Sequence, residues 1–158
     1  MRVGVHVSIQ GGVLQALERA KGLQCNTMQI FSRSPRGGPA PRLAPEELEA
    51  FDRQRRAADI DPLVVHAPYI MNLASPDATV FGRSTALCQE EYLRCQALGA
   101  RYLVAHVGSL RGSAEAQGVA RVAEAVNRVL EAGAACVTQP REPVMLLLEN
   151  TAGSGQGL

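Results

Sequence analysis

The chain has 158 residues, 46% of them hydrophobic and 20% charged, with a formal net charge of +1. That length suits one compact unit over residues 1–158, with no internal boundary, burying about two-thirds of the surface its unfolded form exposes. Near-neutral charge excludes a uniformly basic nucleic-acid binder, so any phosphate-binding surface must come from a local cluster of Lys and Arg. No apolar run reaches the ~18 residues of a membrane-spanning helix.

Five short apolar runs alternate with four amphipathic stretches, the pattern of βα units on a parallel sheet. The first run is Val3 to Val7, after which Gly11-Gly12 opens a helix through Ala16, Leu17 and Ala20 that stops at Gly22. The second run, Thr27 to Phe31, leads into the one long loop, the Gly- and Pro-rich stretch Ser34 to Pro41, which with its flanks carries Arg33, Arg36 and Arg42. Arg33 reads as a solvated loop residue. A second helix opens at Pro45-Glu46-Glu47, where proline suits the first turn and the acids suit the positive end of the helix dipole, and it places Leu48, Phe51 and Arg55 at helical spacing.

The third run, Leu63 to Ala67, precedes a helix from about Pro76 to Leu98 that presents Val80, Ser84, Leu87, Cys88, Cys95 and Leu98 on one side and stops at Gly99. The fourth run is Tyr102 to Val107. Its helix, capped by Ser113, is expected to bury Val119, Val122, Val126, Val129 and Leu130 before Gly133. The fifth run is Val144 to Asn150. The first and fifth runs would be sheet edges, and neither carries a central proline or an inward lysine to blunt it, so self-association is expected.

The four cysteines, Cys25, Cys88, Cys95 and Cys136, include no Cys-x-x-Cys pair and no signal-like segment opens the chain, which together suggest a reduced, cytoplasmic setting. Cys88 and Cys95 share a helix face but lie ~10 Å apart along it, too far for a disulfide, and read as small core residues.

The chemistry gathers at the C-terminal ends of the runs, where His6, Phe31-Ser32-Arg33, His66, His106 and Glu149 stand. In a parallel sheet or barrel these ends share one face, so His66, His106 and Glu149 can converge although they lie about 40 residues apart in sequence. Two neutral imidazoles and a carboxylate form the ligand set of an open catalytic zinc site, and such a metal lowers the pKa of its water toward ~7. Histidines at strand ends also hydrogen-bond substrates or brace loops, so spacing alone leaves the metal reading open.

Gly4-Val-His-Val-Ser8 with Gly11-Gly12, His66-Ala-Pro-Tyr69 with Asn72-Leu73, His106-Val-Gly-Ser109, and Leu148-Glu149-Asn-Thr-Ala-Gly153 resemble, in order, successive signatures of the endonuclease IV family. The resemblance covers nearly the whole chain and implies strands one to five, with helices one to four, of a metal-dependent (β/α)8 TIM barrel. It implies a base excision repair hydrolase that cuts double-stranded DNA 5′ to abasic sites. His66 and His106 would bind one zinc of a cluster of up to three, with Glu149 bridging it to a second and serving catalysis. The remaining ligands would come from strands beyond the fifth, so this chain would complete one zinc at most and fall short of full catalysis.

By the same resemblance Arg36, Tyr69 and Ile70 would contact the DNA minor groove and help expel the abasic nucleotide, as side chains wedged into a base stack do. Ile70 stands where the family usually carries leucine. His6 matches the first signature but is no metal ligand there, and a pocket-lining role is expected of it. Two alternatives remain: a sugar isomerase or epimerase on the same type of metal barrel, and a non-catalytic or self-associating half-barrel.

Overall fold

The computed structural model describes residues 1–136 and 142–150. Its elements alternate along the chain: α1 (Val13–Gly22), β1 (Met28–Phe31), α2 (Pro45–Ala57), β2 (Leu63–His66), α3 (Ala78–Leu98), β3 (Tyr102–His106), α4 (Glu115–Ala135) and β4 (Met145–Glu149). The strands form one parallel sheet in the order β1-β2-β3-β4. Chain order equals spatial order, as in a TIM barrel whose strands are laid down in sequence with a helix between each pair. The last partners in register are Phe31 with His66, His66 with Val104, and His106 with Glu149. The chemically equipped strand ends therefore lie side by side at one rim.

The first apolar run is not a regular strand. It holds to β1 through an isolated bridge at His6 and Gln29, with Val7 N–H donating to Gln29 O (2.8 Å) and Gln29 N–H to Val5 O (3.1 Å). Only Val7 is buried, while Val3 and Val5 are exposed, so the segment has a partner on one side and little core to anchor it. At the opposite edge β4 pairs only with β3 among the described residues, and Met145, Leu147 and Leu148 are exposed.

The core forms where the helices cover the sheet: Ile30, Leu63, Val65, Leu103 and Ala105 from the strands meet Leu17, Phe51, Cys88, Cys95, Leu98 and Val129 from the helices. Cys88 and Cys95 are free thiols buried in it, as their shared helix face suggests. Helix α2 begins at Pro45, as its first-turn chemistry implies.

Two helix starts differ from expectation. Helix α3 is capped by Asp77, whose carboxylate accepts from the N–H groups of Thr79 and Val80, so it starts at Ala78 rather than Pro76 and leaves Val80 exposed on the first turn. Helix α4 has Ala114 rather than Ser113 at its cap. The Ser113 hydroxyl instead donates to Leu110 O and accepts from Arg121. Val119 and Leu130, expected inside, are exposed, and the inward stripe of α4 runs through Val122, Ala125 and Val129. No helix among the described residues is long and apolar enough to cross a membrane.

Candidate metal centre

Strand β2 delivers His66, β3 delivers His106 and β4 delivers Glu149, each as its last residue. Each offers one ligand atom, and these atoms lie within 4.8 Å of one another. His66 Nε2 stands 3.2 Å from Glu149 Oε2. Neighbouring ligands around a tetrahedral zinc with bonds of ~2.1 Å are ~3.4 Å apart, so this pair is close to the spacing a shared cation requires.

The hydrogen-bond pattern strengthens that reading. His66 Nδ1 lies 2.7 Å from the Ala67 carbonyl, which can only accept, so Nδ1 carries the proton and donates. In the neutral ring, Nε2 then presents a lone pair to a carboxylate oxygen. Two acceptors this close repel unless a proton or cation lies between them. A backbone carbonyl that fixes the far nitrogen is also the usual support of a metal-binding histidine. His106 Nδ1 is buried without a hydrogen-bond partner, and a native structure seldom leaves such an atom unpaired. The three residues fit a cation in donor type and unspent lone pairs, and His66 with Glu149 also in spacing. The Glu149 side chain is 47% exposed, which leaves one side of the group open.

A layer of rings lies against the two histidines. Tyr69 lies 5.4 Å from His66, 5.8 Å from His106 and 5.3 Å from Phe31, centroid to centroid. His6 packs against Phe31 at 4.3 Å, 6.3 Å from His66, and lines a groove with Ser8, Phe31, Ser34 and Pro35. Partial removal from water, with His66 adding to it, holds the His6 imidazole below its ordinary pKa. Gln29 lies 2.9 Å from His6 Nδ1 and donates to it through its amide. Phe31, which forms one wall, is legible in the sequence only as a strand-end aromatic.

Tyr69 and Ile70 are each 57% exposed, and Arg36 is exposed on the loop after β1. The two loops are joined: Tyr69 N–H donates to Pro35 O at 3.1 Å. A Cβ at Gly37 would stand 2.6 Å from Ile70 Cδ1, and its φ of +89° is itself costly for any other residue.

Arg33 is not solvated. It is 5% exposed and pairs through Nε with Glu91, which is wholly buried, and through Nη2 with Glu90. Burial opposes its charge, but the hydrogen bonds it donates to the carboxylates of Glu90 and Glu91 outweigh that and raise its pKa. Ser32 donates to Glu91 at 2.7 Å, and Arg94 spans Ser32 and the Pro41 carbonyl. This network anchors both ends of the loop that carries Arg36. Of the last sequence signature, Leu148, Glu149 and Asn150 are described, and Thr151, Ala152 and Gly153 lie outside the described residues.

Residues 17–157 match the family described as the xylose isomerase-like TIM barrel. The chain belongs to that family, and His66, His106 and Glu149 stand at the strand ends where such barrels keep their chemistry. Within the family it stands with the endonuclease IV sequences. It is 43% identical over 155 residues to a protein of Carboxydothermus hydrogenoformans named probable endonuclease 4, covering 98% of this chain and 52% of that one. The crystal structure of endonuclease IV from Thermus thermophilus superposes with a TM-score of 0.83 at 36% identity, covering all of this chain and 55% of that one. A D-tagatose 3-epimerase-like protein shares the fold alone, with a TM-score of 0.69 at 16% identity. The chain spans about half the length of the relatives it matches.

Proposed function

We propose that this chain carries part of the catalytic centre of a zinc-dependent DNA repair endonuclease that hydrolyses the phosphodiester 5′ to abasic sites. The observation that carries the reading is the convergence of His66, His106 and Glu149 within 4.8 Å, open on one side. Its specificity for DNA rests on the similarity to endonuclease IV. A zinc ion held there supplies Lewis acidity toward a phosphodiester and acidifies water. The chain's own groups do the rest. Ala67 O orients His66, Glu149 contributes negative charge and a free lone pair, and His6 with Phe31 lines the approach.

Arg36, Tyr69 and Ile70 form the DNA-contacting edge, with Arg36 meeting phosphate or groove and the two exposed apolar residues wedging beside the lesion. The joining of their loops through Pro35 and Gly37 supports a common role. Glu149 would also help to hold a further cation. The exposed β4 residues support self-association through that edge, and four free cysteines support a reduced, cytoplasmic setting.

The test is a duplex with a single abasic site, incubated with the zinc-loaded protein. A slow residual cut on the 5′ side, as one zinc in place of three implies, abolished by chelator and by His106→Ala, is the expected result. Epimerisation of a ketose with no action on that duplex would transfer the assignment to the sugar-barrel alternative.

A further inference from the structure

Strand β3 extends beyond its partner. Its register with β2 ends at His66 opposite Val104, two residues before His106, and Ala67 N–H to Val104 O (2.8 Å) is the last bond of that ladder. On its β4 side His106 still has Glu149 opposite it. On its β2 side, the backbone beyond Val104 is held by the loop that follows β2.

That loop does so mainly through one side chain. Asn72 is 8% exposed, and its amide pairs with the Ser109 backbone in both directions: Oδ1 accepts from Ser109 N–H and Nδ2 donates to Ser109 O, both at 3.0 Å. The same Oδ1 accepts from Ala74 N–H at 3.1 Å, and Ala74 N–H also reaches Val107 O at 3.1 Å. Asn72 N–H donates to Ser84 Oγ on α3 at 2.9 Å, so the clamp rests on a helix. Between His106 and Ser109 the chain passes Gly108 at φ +97°, where a Cβ would lie 2.1 Å from Asn72 Oδ1. Arg121 of α4 makes a second tie, donating to Ala74 O at 2.9 Å and Ser113 Oγ at 2.6 Å.

We infer that Asn72 is a positioning residue for the metal centre, clamping the loop after β3 to the loop after β2 so that His106 is held in reach of His66 and Glu149. It touches none of the three ligands and acts through the backbone on either side of Gly108. The inference rests on the metal reading above. A supporting group behind a metal ligand is worth about tenfold to a hundredfold in metal affinity.

The experiment is zinc titration of the full chain against a chromogenic chelator, at a temperature where circular dichroism shows every variant folded. Asn72→Ala is expected to weaken zinc binding about tenfold or more. Gly108→Ala, which displaces the clamp from the opposite loop, is expected to do the same, and it carries the test if the Asn72 variant does not fold. In the Asn72→Ala background, Gly108→Ala is expected to cost less than in the parent, because the atom it would strike is gone. A purely structural role would lower the melting temperature of the chelator-treated chain and leave the zinc affinity of the folded chain unchanged. Native affinity in the folded variants overturns the inference while the metal site stands. A parent chain that binds no zinc removes the metal reading and this inference with it.

Discussion

His66 Nε2 faces Glu149 Oε2 across 3.2 Å, while the other nitrogen of the same ring is committed to the Ala67 carbonyl. This opposition of a lone pair and a carboxylate is the feature that a cation resolves. Glu149→Gln removes the charge and keeps the shape. It is expected to weaken zinc binding at least tenfold in chelator competition, and His106→Ala to do the same. Unchanged affinity in either variant would mean that the ion sits elsewhere.

The Arg33 and Glu91 pair lies wholly inside the protein, so removing one partner leaves an uncompensated charge in low dielectric. Glu91→Ala is expected to lower the unfolding free energy by about 3–5 kcal/mol in urea titrations. Glu90 pairs with the same arginine from a side chain that is 63% exposed, and Glu90→Ala is expected to cost no more than about 1 kcal/mol. Equal losses in the two variants would refute the distinction between the carboxylates.

These two residues also mark where sequence reading stops. The alternation of apolar runs and helices locates each of the four strands, because buried parallel strands are short and continuously apolar. The strand-end pattern locates His66, His106 and Glu149 together. Arg33 pairs with Glu91 across 58 positions, and no local pattern announces such a partner, so an arginine in a Gly- and Pro-rich loop reads as solvated. Helix faces blurred for a different reason. Val80, Val119 and Leu130 sit at plausible apolar positions, but which stripe turns inward is set by Asp77 capping α3 and by the packing of α4 against α3, where Gly133 admits the Tyr92 ring.

Buried thiols should be inert. Burial, with the charge of Glu91 adding to it, pushes the Cys88 thiol up to about 12 and Cys95 well above its ordinary value. At pH 8 a thiol-alkylating reagent is expected to label exposed Cys136 first and Cys25 more slowly, with Cys88 and Cys95 labelled only on unfolding. Because the folded pKa lies above the unfolded one, stability from these thiols is complete below the ordinary thiol value of 9.0 and is lost as pH rises toward about 12. Melting temperatures at stepped alkaline pH should therefore fall less steeply for Cys88→Ala. Rapid labelling of Cys88 in the folded chain would contradict its placement.

The exposed Met145, Leu147 and Leu148 give β4 an apolar surface along an edge that has no partner strand among the described residues. Size-exclusion chromatography with light scattering is expected to show the chain as an oligomer, shifted toward monomer by Leu147→Lys. A parent chain that elutes as a monomer at high concentration would rule out association through this edge.

That His66, His106 and Glu149 share one cation is tested most directly by X-ray absorption at the zinc edge of the chain loaded with one equivalent of zinc. The expected first shell holds two imidazole nitrogens and carboxylate or water oxygen at ~2.0–2.2 Å, with one imidazole lost in His106→Ala. A shell of oxygens alone, of sulfur, or one that His106→Ala leaves unchanged would contradict it.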